Sequence, residues 1–152
     1  MENTLDRFTT ARRVIEFFTE GAPPFLHALA AKLREAGYDD TTLVHLRLLS
    51  LLSDGACNLS ELANKQAVSL PTMSNSISVL VERGWVKRSQ SSTDRRMVCL
   101  ELTPAGRSVL MQAMHHTHVH VAELLAPLSP REQEAVTAGL AVLQKVFQAE
   151  SR

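Results

Sequence analysis

The apolar residues of this chain recur at helical spacing along most of its length, and in one stretch the period itself changes. Between Trp85 and Leu102 the period changes to two. Trp85-Val86-Lys87-Arg88 reads as a short strand and Ser89-Gln90-Ser91-Ser92-Thr93-Asp94 as a polar turn. Met97-Val98-Cys99-Leu100-Glu101-Leu102 then alternates, with Val98, Leu100 and Leu102 on one face. The chain is therefore predicted to be mainly α with one small β-hairpin.

Helix signals frame that hairpin closely. Asn58-Leu59-Ser60-Glu61 has the spacing of a capping box and opens a short helix ending near Val68. Ser69 is a second N-cap, and Pro71 sits in the first turn, where its missing N–H costs nothing. That next helix carries Met73, Ile77, Leu80 and Val81 on one stripe, and Gly84 closes it. Two helices joined by about three residues form a helix-turn-helix outline, and a polar-tipped hairpin directly after it makes a winged helix.

Upstream, Leu5, Phe8, Val14, Ile15, Phe18, Phe25, Leu26, Leu29 and Leu33 keep helical spacing. Gly21-Ala22-Pro23-Pro24 interrupts them, giving two helical pieces or one sharply kinked helix. Gly37 ends this segment, Asp39-Asp40-Thr41 offers a cap, and a leucine-rich helix over 42–52, buried on most sides, stops at Asp54-Gly55. Downstream, Thr103-Pro104 starts a helix that runs to about Leu125, and Pro127 breaks it. Ser129-Pro130-Arg131-Glu132 opens a last helix over 130–149, with Val136, Leu140, Leu143 and Phe147 on one stripe.

The length of 152 residues predicts about one domain. No apolar run is long enough to span a bilayer, and Met1–Arg7 has no signal-peptide core, so no membrane association and a cytoplasmic protein are expected. Cys57 and Cys99 make no disulfide framework. Sixteen basic and sixteen acidic residues cancel, which taken alone argues against a nucleic-acid partner. The distribution reverses that inference. Residues 1–57 carry −2, residues 58–107 carry +3 and residues 108–152 carry −1. Within Arg83–Arg96, five cations face Asp94 alone. Such a cluster also fits a solvated face, so the charge needs the motif beside it. Gly-rich phosphate loops, nucleophile elbows and metal-hydrolase motifs are missing from the sequence, and no enzyme is expected.

Five segments then occur in order over about residues 42–107: Leu59-Ser60-Glu61-Leu62-Ala63, Val68-Ser69-Leu70-Pro71-Thr72-Met73-Ser74, Leu80-Val81-Glu82-Arg83-Gly84-Trp85-Val86-Lys87-Arg88, Asp94-Arg95-Arg96 and Leu102-Thr103-Pro104-Ala105-Gly106. Together they resemble the MarR family of winged helix-turn-helix transcriptional regulators. The resemblance implies residues 1–40 as an N-terminal dimerisation segment, 41–103 as the DNA-binding domain and 104–152 as helices completing the dimerisation domain. It further implies a homodimeric regulator, with repression the expected sense, on a pseudo-palindromic operator whose half-sites lie ~10 bp apart.

The helix from about Leu70 to Arg83 is then the recognition helix. Ser69, Thr72, Ser74 and Asn75 supply short donors and acceptors for base edges or phosphates. Lys87 and Arg88 lie where the wing approaches the DNA backbone, and Lys65 and Arg83 are further candidates for it. The resemblance implies that Asp94 orients an arginine entering the minor groove. Arg96 is the positional match, and Arg95 could take that role or reach a phosphate. Trp85 reads as core filling beneath the wing.

The family often binds small aromatic effectors, so Phe17, Phe18, Phe25, His45 and Leu49 are candidate pocket walls; ordinary core is the competing reading. His115-His116-Thr117-His118-Val119-His120 raises an alternative, a metal-responsive regulator. His116, His120 and Glu123 share one helical face, with His45 able to add a ligand, but no full zinc set assembles and no cofactor is required. A winged helix serving protein contact without DNA is the remaining alternative. Cys57 and Cys99 fit structural roles.

Overall fold

Capping residues and prolines set the element order. A computed structural model describes residues 2–38, 43–55, 58–91, 93–94 and 96–150. The elements are α1 (Glu2–Glu16), a π turn (Phe17–Gly21), α2 (Ala22–Glu35), α3 (Leu43–Ser53), α4 (Leu59–Gln66), α5 (Leu70–Glu82), β1 (Val86–Gln90), β2 (Val98–Leu102), α6 (Pro104–Leu125) and α7 (Pro130–Glu150). Chain contacts divide it into two compact units, residues 1–117 and 118–152. The expected cap Asp39-Asp40-Thr41, Cys57 and Arg95 lie outside the described residues.

The interruption expected at Gly21-Ala22-Pro23-Pro24 is present as a π turn that separates α1 from α2. Glu16, Gly21 and Ala22 all keep right-handed helical dihedrals, and the Ala22 N–H donates to Phe17 O, five residues back. A prolyl ring collides with the carbonyl four residues before it, and widening one turn relieves that collision while the helix continues. Gly37, Gly55 and Gly84 all take positive φ at helix ends, as the punctuation predicts.

The first unit is organised around α3. Leu48 and Leu49 are completely enclosed, and Leu46, Leu51 and Leu52 are buried with them. Leu33 from α2, Leu62 from α4, Ile77 and Leu80 from α5, and Val86 and Leu100 from the strands complete one cluster. Each fully buried leucine or isoleucine contributes roughly 1.5–3 kcal/mol of transfer free energy, so this block carries most of its own stability.

Both cap predictions for the helix pair are met. Asn58 Oδ1 accepts from Glu61 N at 2.8 Å and Glu61 Oε2 accepts from Asn58 N at 3.3 Å. Ala67 closes α4 in the left-handed region (φ 52°), and only Val68 and the N-cap Ser69 separate it from α5. The hairpin extends two residues further than its alternation suggests. Ser89 and Gln90, expected in the turn, pair instead with Cys99 and Val98 in antiparallel register, and the second strand starts at Val98.

In the second unit, Ser129 and Glu132 form the expected box. Glu132 Oε2 accepts from Ser129 N at 2.8 Å and from its hydroxyl at 2.6 Å. The hydroxyl bond is the main cause that holds the Glu132 carboxyl below its ordinary range. Helix α7 has no buried side chain among its described residues. Its predicted stripe is present, but Val136, Leu140 and Phe147 all face outward.

Candidate nucleic-acid interface

The N-terminal turn of α5 is polar, exposed and pinned by its own cap. Ser69 Oγ accepts from Thr72 N at 3.3 Å, and the two hydroxyls share a further hydrogen bond of 2.9 Å. One hydroxyl must donate in that pair, so the other keeps its proton for an outside acceptor. Asn75 is exposed one turn further on. Backbone N–H groups at this end, with the positive pole of the helix, favour an anion nearby.

Ser74 is placed differently. It is half-buried and lines a cavity of about 210 Å³ with Leu59, Ile77, Arg88, Val98 and Leu100, in the seam between α5 and the wing. Ser69, Thr72 and Asn75 thus form one surface, and Ser74 belongs to the joint behind it. Arg88 comes from the same seam and donates to Ser78 Oγ at 3.3 Å. Ser78 was not singled out from sequence, because its role depends on which face of β1 meets α5.

Lys87 points to the opposite face of the hairpin. Its ammonium pairs with Glu101 at 3.0 Å, across the strands in direct register, and Ser89 Oγ donates to the same carboxylate at 2.8 Å. The Lys87 hydrogen bond, followed by that of Ser89, holds the Glu101 carboxyl below its usual range. Lys87 therefore carries a partner that sequence reasoning missed. The signal was present in the hairpin register, which sets residue 87 opposite residue 101.

The wing tip is ordered by two short side chains. Ser91 Oγ accepts from the backbone N–H groups of Thr93 at 3.2 Å and Asp94 at 3.3 Å. Asp94 Oδ1 accepts from Arg96 N at 2.9 Å, and Met97 N donates back to Asp94 O at 3.0 Å. Asp94 thus fixes Arg96 through its main chain, leaving the exposed guanidinium to project from an ordered turn. At the hairpin base, the Arg83 guanidinium lies 4.9 Å from the Trp85 ring centroid, and Trp85 packs against the core as expected. Lys65 is exposed on α4.

The proposed pocket walls do not share one environment. Leu49 is enclosed in the core and His45 is half-buried, whereas Phe17, Phe18 and Phe25 are exposed on the chain. Among the histidines, His116 lies beside Tyr38 (centroids 6.3 Å apart) and His115 (6.1 Å). His120 is half-buried, and its Nε2 has no hydrogen-bond partner among the described residues. Among the described residues, no three His, Cys, Asp or Glu side chains are grouped to hold a metal ion. Cys99 is a half-buried free thiol on β2.

Two short helices, a polar exposed turn at the start of the second, and a hairpin with an arginine at its ordered tip define a winged helix-turn-helix DNA-binding protein. The MarR family model matches residues 41–98. The HTH-type transcriptional regulator YfiV of Bacillus subtilis is 31% identical over 110 residues, covering 72% of this chain and 69% of that relative. Transcriptional repressor MprA of Escherichia coli is 28% identical over 102 residues, 67% of this chain, and the match spans only 58% of MprA. Streptococcus pneumoniae FabT, solved in complex with DNA, shares the fold with a TM-score of 0.77 over 91% of this chain and 98% of that one, at 22% identity. The chain belongs to the MarR family and is a DNA-binding transcriptional regulator, not an enzyme. Among the described residues, no helix is long and apolar enough to cross a membrane.

Proposed function

We propose that this protein is a cytoplasmic homodimeric repressor that reads a pseudo-palindromic operator. Residues 41–103 bind one half-site each, and residues 1–40 and 104–152 supply the dimer contacts. The observation that carries this reading is the pairing of an exposed Ser69, Thr72 and Asn75 surface with a turn that presents Arg96 from an ordered tip. The first surface suits the major groove. A guanidinium on a projecting hairpin suits the narrow, electronegative minor groove. Arg88 and Ser74 stand behind this surface and act on phosphate or on the wing's pose, with Arg95 next to Arg96 in sequence.

The dimer is supported by the apolar surface that the chain leaves uncovered. Phe8, Ile15, Phe18 and Leu26 on the N-terminal helices, and Val136, Leu140, Val146 and Phe147 on α7, are all exposed. Scattered exposed leucines are ordinary, but two helical stripes of them call for a partner. Repression is supported by the likeness to MprA, named a transcriptional repressor. Modulation by a small aromatic effector is the remaining part of the proposal, with Phe17, Phe18, Phe25 and His45 as its candidate contacts.

Selection of bound fragments from genomic DNA, followed by footprinting, tests the reading. The expected product is an inverted repeat protected over two half-sites about one helical turn apart. Binding without sequence preference, or to a single half-site, would reject it.

A further inference from the structure

The root of the wing is a knot in which the end of α5, the base of the hairpin and the start of α6 meet. The Gly84 N–H donates to Val81 O at 2.9 Å and closes α5, with Gly84 at φ 71°. The Gly84 carbonyl then accepts from the Thr103 hydroxyl at 2.6 Å. The same hydroxyl accepts from Gly106 N at 3.0 Å, capping α6, while Thr103 N donates to Trp85 O at 3.0 Å. Val86 and Leu102, the first ladder pair of the hairpin, lie directly beside these bonds.

One oxygen thus joins the end of the recognition helix to the start of α6, using both its donor and its acceptor capacity. The packing is equally close. Gly106 is buried, and a Cβ added there would sit 2.0 Å from Trp85 O, against backbone that cannot move aside. An ordinary N-cap bonds only its own helix. Thr103 also bonds a residue 19 positions earlier.

We infer that Thr103 is a positioning residue for operator recognition: its hydroxyl, with Gly106 behind it, locks α5 and the wing to the first turn of α6. The inference rests on the dimeric operator reading above. In a dimer, the two recognition helices are held at one separation only if each is rigid with respect to the helices that join the two chains. A loose knot would leave each half able to contact DNA, yet blur the distance between the halves.

The test is operator binding by fluorescence anisotropy, using the selected inverted repeat and a version with one base pair inserted between half-sites. That insertion moves one half-site by about 3.4 Å and about 35°. The wild-type protein should lose about tenfold or more in affinity. Thr103→Val, which keeps the shape and removes the hydroxyl, should bind the native repeat several-fold more weakly and discriminate little between spacings. Thr103→Ser should restore the wild-type ratio. Thr103→Ala serves as a second variant lacking the hydroxyl, with folding checked by circular dichroism and mass by light scattering.

A folded, dimeric Thr103→Val or Thr103→Ala protein that keeps the wild-type spacing ratio overturns the inference. So does a result in which only Thr103→Ser folds, because the hydroxyl would then serve the fold alone. A wild-type protein that binds no inverted repeat at any spacing fails the operator reading itself, whatever the Thr103 variants do.

Discussion

Helices α5 and α7 carry the same apolar spacing and use it oppositely. On α5, Met73, Ile77 and Leu80 are at most 2% exposed, while on α7 Val136 is 42%, Leu140 57% and Phe147 44% exposed. Both stripes repeat every three or four residues, so neither the residue types nor their period separate the two cases. What separates them is supply. Helix α5 sits against α4 and the hairpin, all encoded between Leu59 and Leu102, and shares one core cluster with them and with the α3 leucines. A stripe states that a face must be covered; it does not state which chain covers it.

The largest expected effect comes from treating the two stripes alike. Leu80→Ala should lower the unfolding free energy by about 2–5 kcal/mol in urea denaturation, as a fully enclosed leucine leaves a cavity. Leu140→Asp should leave the fold of the first unit intact by circular dichroism while lowering the mass in light scattering toward that of one chain. If Leu140→Asp unfolded the protein as Leu80→Ala does, at all concentrations, the contrast between the helices would collapse.

Arg96→Ala comes next. It should weaken operator binding by about tenfold, with the melting temperature nearly unchanged, because the side chain is exposed and Asp94 bonds only its backbone. A large loss of stability would mean that Arg96 serves the hairpin instead.

The smallest effect is expected at Lys87. Glu101→Gln removes the charge that pairs with it, so Lys87 becomes free to meet phosphate. The slope of log affinity against log salt should steepen by up to about 0.9. The pH dependence has a definite sign. The Glu101 carboxyl is held below its ordinary range in the fold, so the pair's small contribution is present above the unfolded carboxyl value and is lost as pH falls through the lowered one. An unchanged slope would place Lys87 away from the DNA.

Much of the fold was legible because its signals are local. Asn58 with Glu61, Ser129 with Glu132, and Ser69 with Pro71 each announce a helix start within four residues, and all three starts are found in place. Gly84 announces an end in the same way. What escaped depends on groups far apart in sequence. The pairing of Lys87 with Glu101 requires the register of the hairpin, and the inward turn of Ser74 requires knowing where the wing lies on α5. Gly106 reads as a poor helix residue until Trp85 O is placed against it. The π form of the interruption also escaped, since proline pairs signal a break but not that the chain makes it by widening one turn.

The same limit applies to the interface. Ser69, Thr72 and Asn75 could be named from the cap and the period, and their shared exposed surface follows from the helix. That Asp94 holds Arg96 by its N–H rather than its guanidinium depends on the turn's own geometry, which composition does not specify.

The most direct test is the mass of the protein free and bound to its selected operator, by light scattering at low micromolar concentration. The account predicts twice the chain mass of 16.8 kDa for the free protein, and two chains on each palindromic duplex. A single chain in solution and a single chain on the duplex would contradict it.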